Sequence, residues 1–134
     1  MNGLKMQLNE LWAGTIESLN VDLLKGTIAL RIKVVKNEIV SNYELTFYEV
    51  SAHYFIKNSG ESRLKDFQFD EGDYLELTSI DYFAMGIGDI TIRSKTNNWV
   101  NQYFSSANFA LEIWSSMFFI EAKKVAINGA VFDA

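Results

Sequence analysis

The stretch TIALRIKVVK, residues 27–36, decides the fold class of this protein. Apolar side chains recur at every second position, and the apolar set comprises Ile28, Leu30, Ile32 and Val34. The positions between them carry Ala29, Arg31 and Lys33. This period of two predicts a β-strand with one buried face and one solvated face.

The residues on either side extend this strand into an antiparallel meander. Gly26 separates it from an earlier strand predicted over 15–24, and a glycine supplies the positive φ that a tight hairpin needs. Asn37 marks the next turn, and a third strand is predicted over 39–51. We therefore expect three consecutive strands joined by hairpins.

The alternation is interrupted at two places in this meander. It breaks between Ile16 and Leu19, and it changes phase at Tyr48. An extra residue in one strand has this effect, so the sequence predicts a β-bulge at each place.

Short strands continue to the end of the chain and are predicted over 74–83, 90–92, 109–113, 118–127 and 130–132. The spacing of Leu4, Leu8 and Leu11 predicts a short N-terminal helix. Two turn-rich segments, 57–73 and 96–106, interrupt the strands, and residues 61–67 could form one helical turn. We expect a mainly β fold, an antiparallel meander forming a sandwich or partly open barrel with one or two short helices. The alternative is an α+β fold with a curved antiparallel sheet.

The composition is that of a chain able to build its own core. Of 134 residues, 49% are hydrophobic and 14% aromatic. Because no linker divides the chain, we expect one domain over 1–134. The net charge of −5 argues against nucleic-acid binding, and no apolar run reaches the roughly 18 residues of a membrane span. The N-terminus does not resemble a signal peptide, so a cytoplasmic protein is expected.

Residues that carry common catalytic chemistry are sparse. There is no cysteine and a single histidine, His53, which excludes thiolate sites and zinc sites built on a histidine pair. The sequence GESRL around Ser62 lacks the second glycine of a nucleophile elbow. Gly86 and Gly88 lack the third glycine of a dinucleotide-binding loop. We therefore expect a protein that is not an enzyme and that uses no cofactor or metal.

The densest charge cluster is acidic and comprises Asp66, Asp70, Glu71 and Asp73. Its spacing does not match an EF-hand loop, so a solvated turn is favoured over a calcium or magnesium site. Paired carboxylates can also serve a hydrolase. A hydrolase that uses Asp70 and Asp73, together with His53, is therefore one alternative function.

Aromatic residues on the predicted strands suggest a second alternative, because a barrel of this size can enclose a small apolar ligand. The residues that could line such a pocket are Tyr43, Phe47, Tyr54, Phe55, Tyr82, Phe83, Phe109 and Phe119. The favoured interpretation is that these side chains fill the core.

Several strand sequences resemble small β-rich Bacillus proteins of the YxiG-like type. The similar stretches are WAGTI at 12–16, VDL at 21–23, IALRI at 28–32, LTFYEV at 45–50, IEA at 120–122 and VAIN at 125–128. Related small β-rich families occur beside polymorphic toxins and are thought to be immunity proteins. The resemblance implies no catalytic residue.

What the resemblance implies is a binding function, in which one surface covers the active site of a toxin domain. An acidic protein would suit a basic partner, because complementary charge speeds association. The residues expected to meet that partner are Asp66, Asp70, Glu71 and Asp73, with Tyr74 as an aromatic anchor. A homodimer formed through an exposed edge strand is also considered.

Overall fold

The computed structural model describes residues 2–64 and 73–134, and most of these residues lie in antiparallel strands. One helix, α1, spans Asn2–Asn9, as the leucine spacing predicts. The strands in these two ranges are β1 (Gly14–Asp22), β2 (Thr27–Lys36), β3 (Ile39–Ile56), β4 (Leu75–Tyr82), β5 (Gly88–Thr91), β6 (Phe104–Ala107), β7 (Phe109–Ile113), β8 (Ser116–Ile127) and β9 (Ala130–Asp133). Within the same two ranges, 3-10 turns span Gly60–Leu64 and Asn98–Gln102.

Strand β2 forms where its alternating pattern predicts it. Ile28 and Ile32 are fully buried, whereas Arg31 on the opposite face is exposed. β2 pairs with β1 on one side and with β3 on the other, so its backbone groups are satisfied inside the sheet. The three-strand meander is confirmed, and so is the bulge in β1, where the register with β2 shifts between Ile16 and Ser18.

The main sheet has seven strands in the order β3-β2-β1-β4-β7-β8-β9, and β3 also pairs with β8. The sheet is therefore strongly curved, since strands far apart in its order come together again. The contact between β1 and β4 is short and joins only Gly14–Ile16 to Leu75–Leu77. The predicted mainly β fold, an antiparallel meander in a sandwich or partly open barrel with a short helix, is confirmed.

Gly14 lies where two parts of the chain approach closely. A Cβ atom at this position would lie 2.6 Å from Cγ2 of Ile32 and 2.9 Å from the carbonyl oxygen of Leu11. Real Cβ atoms essentially never come this near, so glycine allows the end of the helical segment to pack directly on β2.

β3 is longer than the predicted strand 39–51, because it continues to Ile56. Its first part pairs with β2 as far as Phe47, and its second part pairs with β8 as far as Met117. The ladder with β8 holds these extra residues in an extended conformation, which is why the predicted end of the strand is wrong. The predicted bulge is confirmed: Glu49 has a φ of 51°, and the register with β8 shifts between Val50 and Ala52.

The core is closed by aromatic rings that pack against one another. Phe47 and Phe109 are fully buried, with ring centroids 4.9 Å apart in an edge-to-face arrangement. Tyr82 lies 5.2 Å from Phe109 on another side. Of the eight aromatic residues considered for a pocket, these three are interior. For Tyr54 and Phe55 the expectation of a core position is wrong, because each is about half exposed.

The second predicted interruption, 96–106, contains regular structure. It holds the 3-10 turn Asn98–Gln102 and the beginning of β6. β6 pairs with β5 in a separate two-stranded sheet. In the first interruption, 57–73, the structure describes the 3-10 turn Gly60–Leu64, which overlaps the first part of the helical turn predicted over 61–67. The rest of that predicted turn, 65–67, lies outside the described residues.

Among the described residues, no helix combines the length and the apolar character that crossing a membrane requires.

Candidate binding surface

The two-stranded sheet and its connecting turn form an unusually apolar part of the surface. We call this unit, residues 88–107, the aromatic lobe. Its large side chains are strongly exposed: Ile92 54%, Trp99 63%, Tyr103 58% and Phe104 71%. Large apolar side chains clustered on a surface mark interaction sites more often than single exposed ones do.

Local hydrogen bonds explain why the lobe holds these side chains outward. The backbone N–H of Asn97 donates to Oγ of Ser94 at 2.9 Å, and the backbone N–H of Ser94 donates to Oδ1 of Asn101 at 3.0 Å. These polar side chains close the loop between β5 and the 3-10 turn, a common use of Ser and Asn in loops. The rings of Trp99 and Tyr103 then meet edge to face, with centroids 6.3 Å apart.

The lobe is attached to the main sheet by the carboxylate of Glu121 in β8. This carboxylate accepts a hydrogen bond from Oγ of Ser51 in β3 at 2.6 Å and another from the backbone N–H of Ser106 in β6 at 3.0 Å. One side chain therefore connects β3, β8 and the lobe. Hydrogen bonds to an ionised acceptor are stronger than neutral ones, so this contact fixes the position of β6.

A second attachment lies where the lobe ends. The side-chain amide of Asn108 donates to the carbonyl oxygen of Ala122 at 2.8 Å, and its oxygen accepts the backbone N–H of Ala122 at 3.1 Å. Asn108 thus pairs with β8 as a strand residue would. These hydrogen bonds to β8 hold the lobe in a fixed position on the main sheet.

Substitution of Glu121 by alanine should loosen the lobe without unfolding the sheet. We expect the backbone amide of Ser106 to exchange hydrogen faster and the free energy of unfolding to fall by about 1–2 kcal/mol, because charge-assisted hydrogen bonds are lost. Hydrogen exchange followed by NMR measures the first effect. The control is Glu112→Ala, which removes a carboxylate bonded to Oγ of Ser79 at 3.2 Å on the main sheet. Equal exchange at Ser106 in both variants would contradict the anchoring role.

A groove with a volume of about 340 Å³ separates the lobe from β3. The residues along its two sides include His53 and Tyr54 of β3, and Ile90, Ile92, Tyr103 and Phe104 of the lobe. Three of the exposed lobe residues therefore also line the groove. The groove therefore brings exposed apolar residues of the lobe next to the exposed part of β3.

His53 is one of the residues that line this groove, and its ring packs edge-on against the ring of Phe118, with centroids 6.0 Å apart. Within the described residues, no three histidine or acidic side chains lie close enough to hold a metal ion. Of the acids in the hydrolase alternative, Asp70 is outside the described residues and Asp73 comes just before β4. That alternative stays a prediction.

The residues expected to meet a partner are only partly described. Asp66, Asp70 and Glu71 lie outside the described residues, and Asp73 is exposed. Tyr74 is half exposed and packs on Trp114, with ring centroids 5.4 Å apart. The indole N–H of Trp114 also donates to the carbonyl oxygen of Tyr74 at 2.8 Å. The predicted anchor is therefore a rigid surface aromatic, and its role in binding stays a prediction.

The aromatic lobe was not among the residues expected to bind. A signal for it is present in the sequence, because Trp99, Tyr103 and Phe104 stand in a polar stretch with no strand alternation to bury them. Aromatic residues without a buried face must either pack locally or meet solvent.

Fold and surface together define a class: a small protein with a curved antiparallel sheet that carries an apolar lobe on a two-stranded sheet. The chain belongs to the family described as YxiG-like protein, whose profile matches residues 4–132. It is similar to "Uncharacterized protein YxiG" of Bacillus subtilis (strain 168), with 26% identity over 116 residues, which cover 87% of this chain and 80% of the relative. The resemblance to YxiG-like proteins is confirmed, and the match runs from α1 to β9.

Proposed function

We propose that this chain is a binding protein, and that it neutralises a toxin domain as an immunity protein of the cytoplasm. In this proposal it acts by contact alone, without catalysis or a cofactor. The observation that carries the binding part is the aromatic lobe, whose four large side chains are more than half exposed on an anchored platform. Tryptophan and tyrosine are the residues on which binding energy most often concentrates.

Rigid presentation is a further argument for binding. Side chains that are already ordered lose less entropy on association than side chains on a mobile loop. Here the loop bonds at Ser94 and the carboxylate of Glu121 hold the lobe before any partner arrives. The lobe can therefore act as a preformed surface.

The toxin part of the proposal has separate support. The sequence resembles small β-rich families of immunity type, and the net charge of −5 suits a basic target. The expected target is a basic toxin domain whose active site the lobe covers. In this proposal the acidic residues Asp66, Asp70, Glu71 and Asp73 supply negative charge toward the same basic target.

Coexpression tests this function. The C-terminal domains of proteins encoded beside this gene are produced in a bacterial host, with and without the chain. We expect one of them to stop growth when produced alone, to be tolerated when the chain is present, and to copurify with it. The control is Leu24→Ser, which changes a 97% exposed leucine in the β1–β2 turn and should protect like the original chain.

The immunity function is wrong if none of these domains is toxic, or if a toxic one neither binds the chain nor is relieved by it. A domain that binds without being toxic would support the binding role and contradict the toxin role.

A further inference from the structure

The aromatic lobe differs in charge from the rest of the chain. Its charged residues are Asp89, Arg93 and Lys95, so its net charge is +1. The whole chain carries −5, and the residues outside the lobe therefore carry −6. The acidic balance that suits a basic target thus comes from outside the lobe, whereas the lobe itself suits an anionic contact.

The two cations of the lobe are exposed, and neither takes part in an ion pair among the described residues. The acid of the lobe, Asp89, lies four residues before Arg93, within β5 and opposite Ser106. The carboxylate of Glu121 also meets the lobe, but both of its oxygens accept hydrogen bonds from serine groups. Arg93 and Lys95 are therefore available to a charge on a partner.

The backbone between the two cations is fixed before any partner arrives. The backbone N–H of Ser94 donates to Oδ1 of Asn101 at 3.0 Å, and its Oγ accepts the backbone N–H of Asn97 at 2.9 Å. Arg93 and Lys95 flank this residue, so their backbone is ordered although their side chains reach into solvent. A charge presented from an ordered backbone loses less entropy when it binds.

The cations directly follow a residue of the apolar groove between the lobe and β3. Ile92 lines this groove and immediately precedes Arg93. Thr91, Gln102 and His53 also line it, and each can donate a hydrogen bond. A carboxylate that enters the groove therefore finds hydrogen-bond donors in it and a guanidinium one residue further along the chain. The planar guanidinium fork matches the geometry of a carboxylate.

We propose that the lobe binds an apolar site of its partner that contains a carboxylate, and that Arg93 and Lys95 pair with this carboxylate. This inference rests on the proposed function and names the chemistry of the contact. Enzyme active sites commonly use aspartate and glutamate as general acids, general bases or metal ligands, even where the surrounding surface is basic. A lobe that covers such a site meets these acids, while the acids outside the lobe supply charge toward the basic surroundings.

An anionic lipid surface is the other occupant that suits exposed aromatic residues beside cations. The charge of −6 outside the lobe opposes the approach of this chain to such a surface. The groove beside the lobe also accepts a protruding side chain, which a layer of lipid headgroups does not supply. These observations favour a protein partner.

Charge reversal tests the pairing through the sign of its effect. Arg93→Glu and Lys95→Glu should each raise the Kd for the toxin domain identified by coexpression by roughly thirtyfold, because like charges then meet in the contact. Arg93→Lys should raise the Kd by about fivefold, since it keeps the charge and loses the fork. A contact that is basic throughout gives the opposite sign, because each reversal makes the chain more acidic. Calorimetric titration measures the Kd.

The matched control is Lys25→Glu. Lys25 is exposed in the turn between β1 and β2, and it forms no ion pair in the described ranges. Its reversal changes the net charge by the same amount outside the lobe, so the Kd should stay within about threefold of the original or fall. Circular dichroism and the exchange rate of the Ser106 amide show that each variant keeps the fold and the anchored lobe.

An unchanged or lower Kd in both Arg93→Glu and Lys95→Glu overturns the inference. Vesicles of phosphatidylcholine and phosphatidylglycerol test the lipid alternative on the chain alone. Vesicle binding that these reversals abolish, without any effect on the toxin domain, would assign the cations to a lipid contact and overturn the inference as well. The absence of any bound domain rejects the proposed function together with this inference, whereas a bound domain that is insensitive to the reversals rejects the inference alone.

Discussion

Replacing Phe109 by alanine is expected to lower the free energy of unfolding by about 3–5 kcal/mol, the largest effect on stability that we predict for one substitution. Phe109 is fully buried in β7, and its ring meets Phe47 at 4.9 Å and Tyr82 at 5.2 Å. The substitution removes contacts on two sides and leaves a cavity that the curved sheet cannot close. Urea unfolding followed by circular dichroism measures the change.

The matched control is Phe104→Ala. It is the same substitution five residues earlier in the chain, but Phe104 is 71% exposed in β6. Truncating an exposed side chain rarely changes stability by more than about 0.5 kcal/mol. Similar losses in the two variants would mean that the lobe is part of the core, which would contradict its description as a surface platform.

Phe104→Ala and Trp99→Ala are expected instead to impair partner binding. Each should raise the Kd for the toxin domain identified by coexpression by about thirtyfold or more, the size typical of aromatic hot-spot residues. The physical reason is the loss of a preordered apolar side chain at the centre of the contact. Calorimetric titration with the purified domain gives the Kd and shows that the folded variant is present at full concentration.

The control for this prediction is Leu24→Ala. Leu24 is 97% exposed in the turn between β1 and β2, away from the residues that line the groove. Its truncation should change the Kd by less than about twofold. If Leu24→Ala weakened binding more than Trp99→Ala, the contact would lie at the β1–β2 turn and not on the aromatic lobe.

Residues 27–36 show how far the sequence determines the fold. Their alternation predicts β2 with the bounds that the structure has, and the turns beside them predict the hairpins on both sides. The breaks after Ile16 and near Tyr48 predict the two bulges, because an inserted residue changes the phase of burial. These features depend on residues that are close together in the chain, so they can be predicted from a single sequence.

The continuation of β3 to Ile56 could not be predicted in the same way. It depends on pairing with β8, more than sixty residues later in the chain. That pairing leaves Tyr54 and Phe55 exposed although they stand in an apolar run. The anchoring of the lobe by Glu121 has the same long-range origin, because Ser51 and Ser106 meet this carboxylate only after the sheet has curved.

The aromatic lobe, on which the proposed binding function rests, was not predicted from the sequence, and the predicted partner residues stay a prediction. The acids of 57–73 were predicted to bind a partner because they form the densest cluster of charge in the sequence. The aromatic lobe is less visible, because whether Trp99 and Phe104 are buried depends on which strands cover them. Their exposure becomes evident only once β5 and β6 form their own small sheet beside the main one.

Hydrogen–deuterium exchange on the complex with the toxin domain tests most directly whether the aromatic lobe is the binding surface. We expect binding to slow exchange in β5, in the turn Asn98–Gln102 and in β6, while the interior strand β7 stays unchanged. Protection limited to the beginning of β4 and the turn at Trp114, with no change in the lobe, would contradict the account and assign binding to Tyr74 and its neighbours.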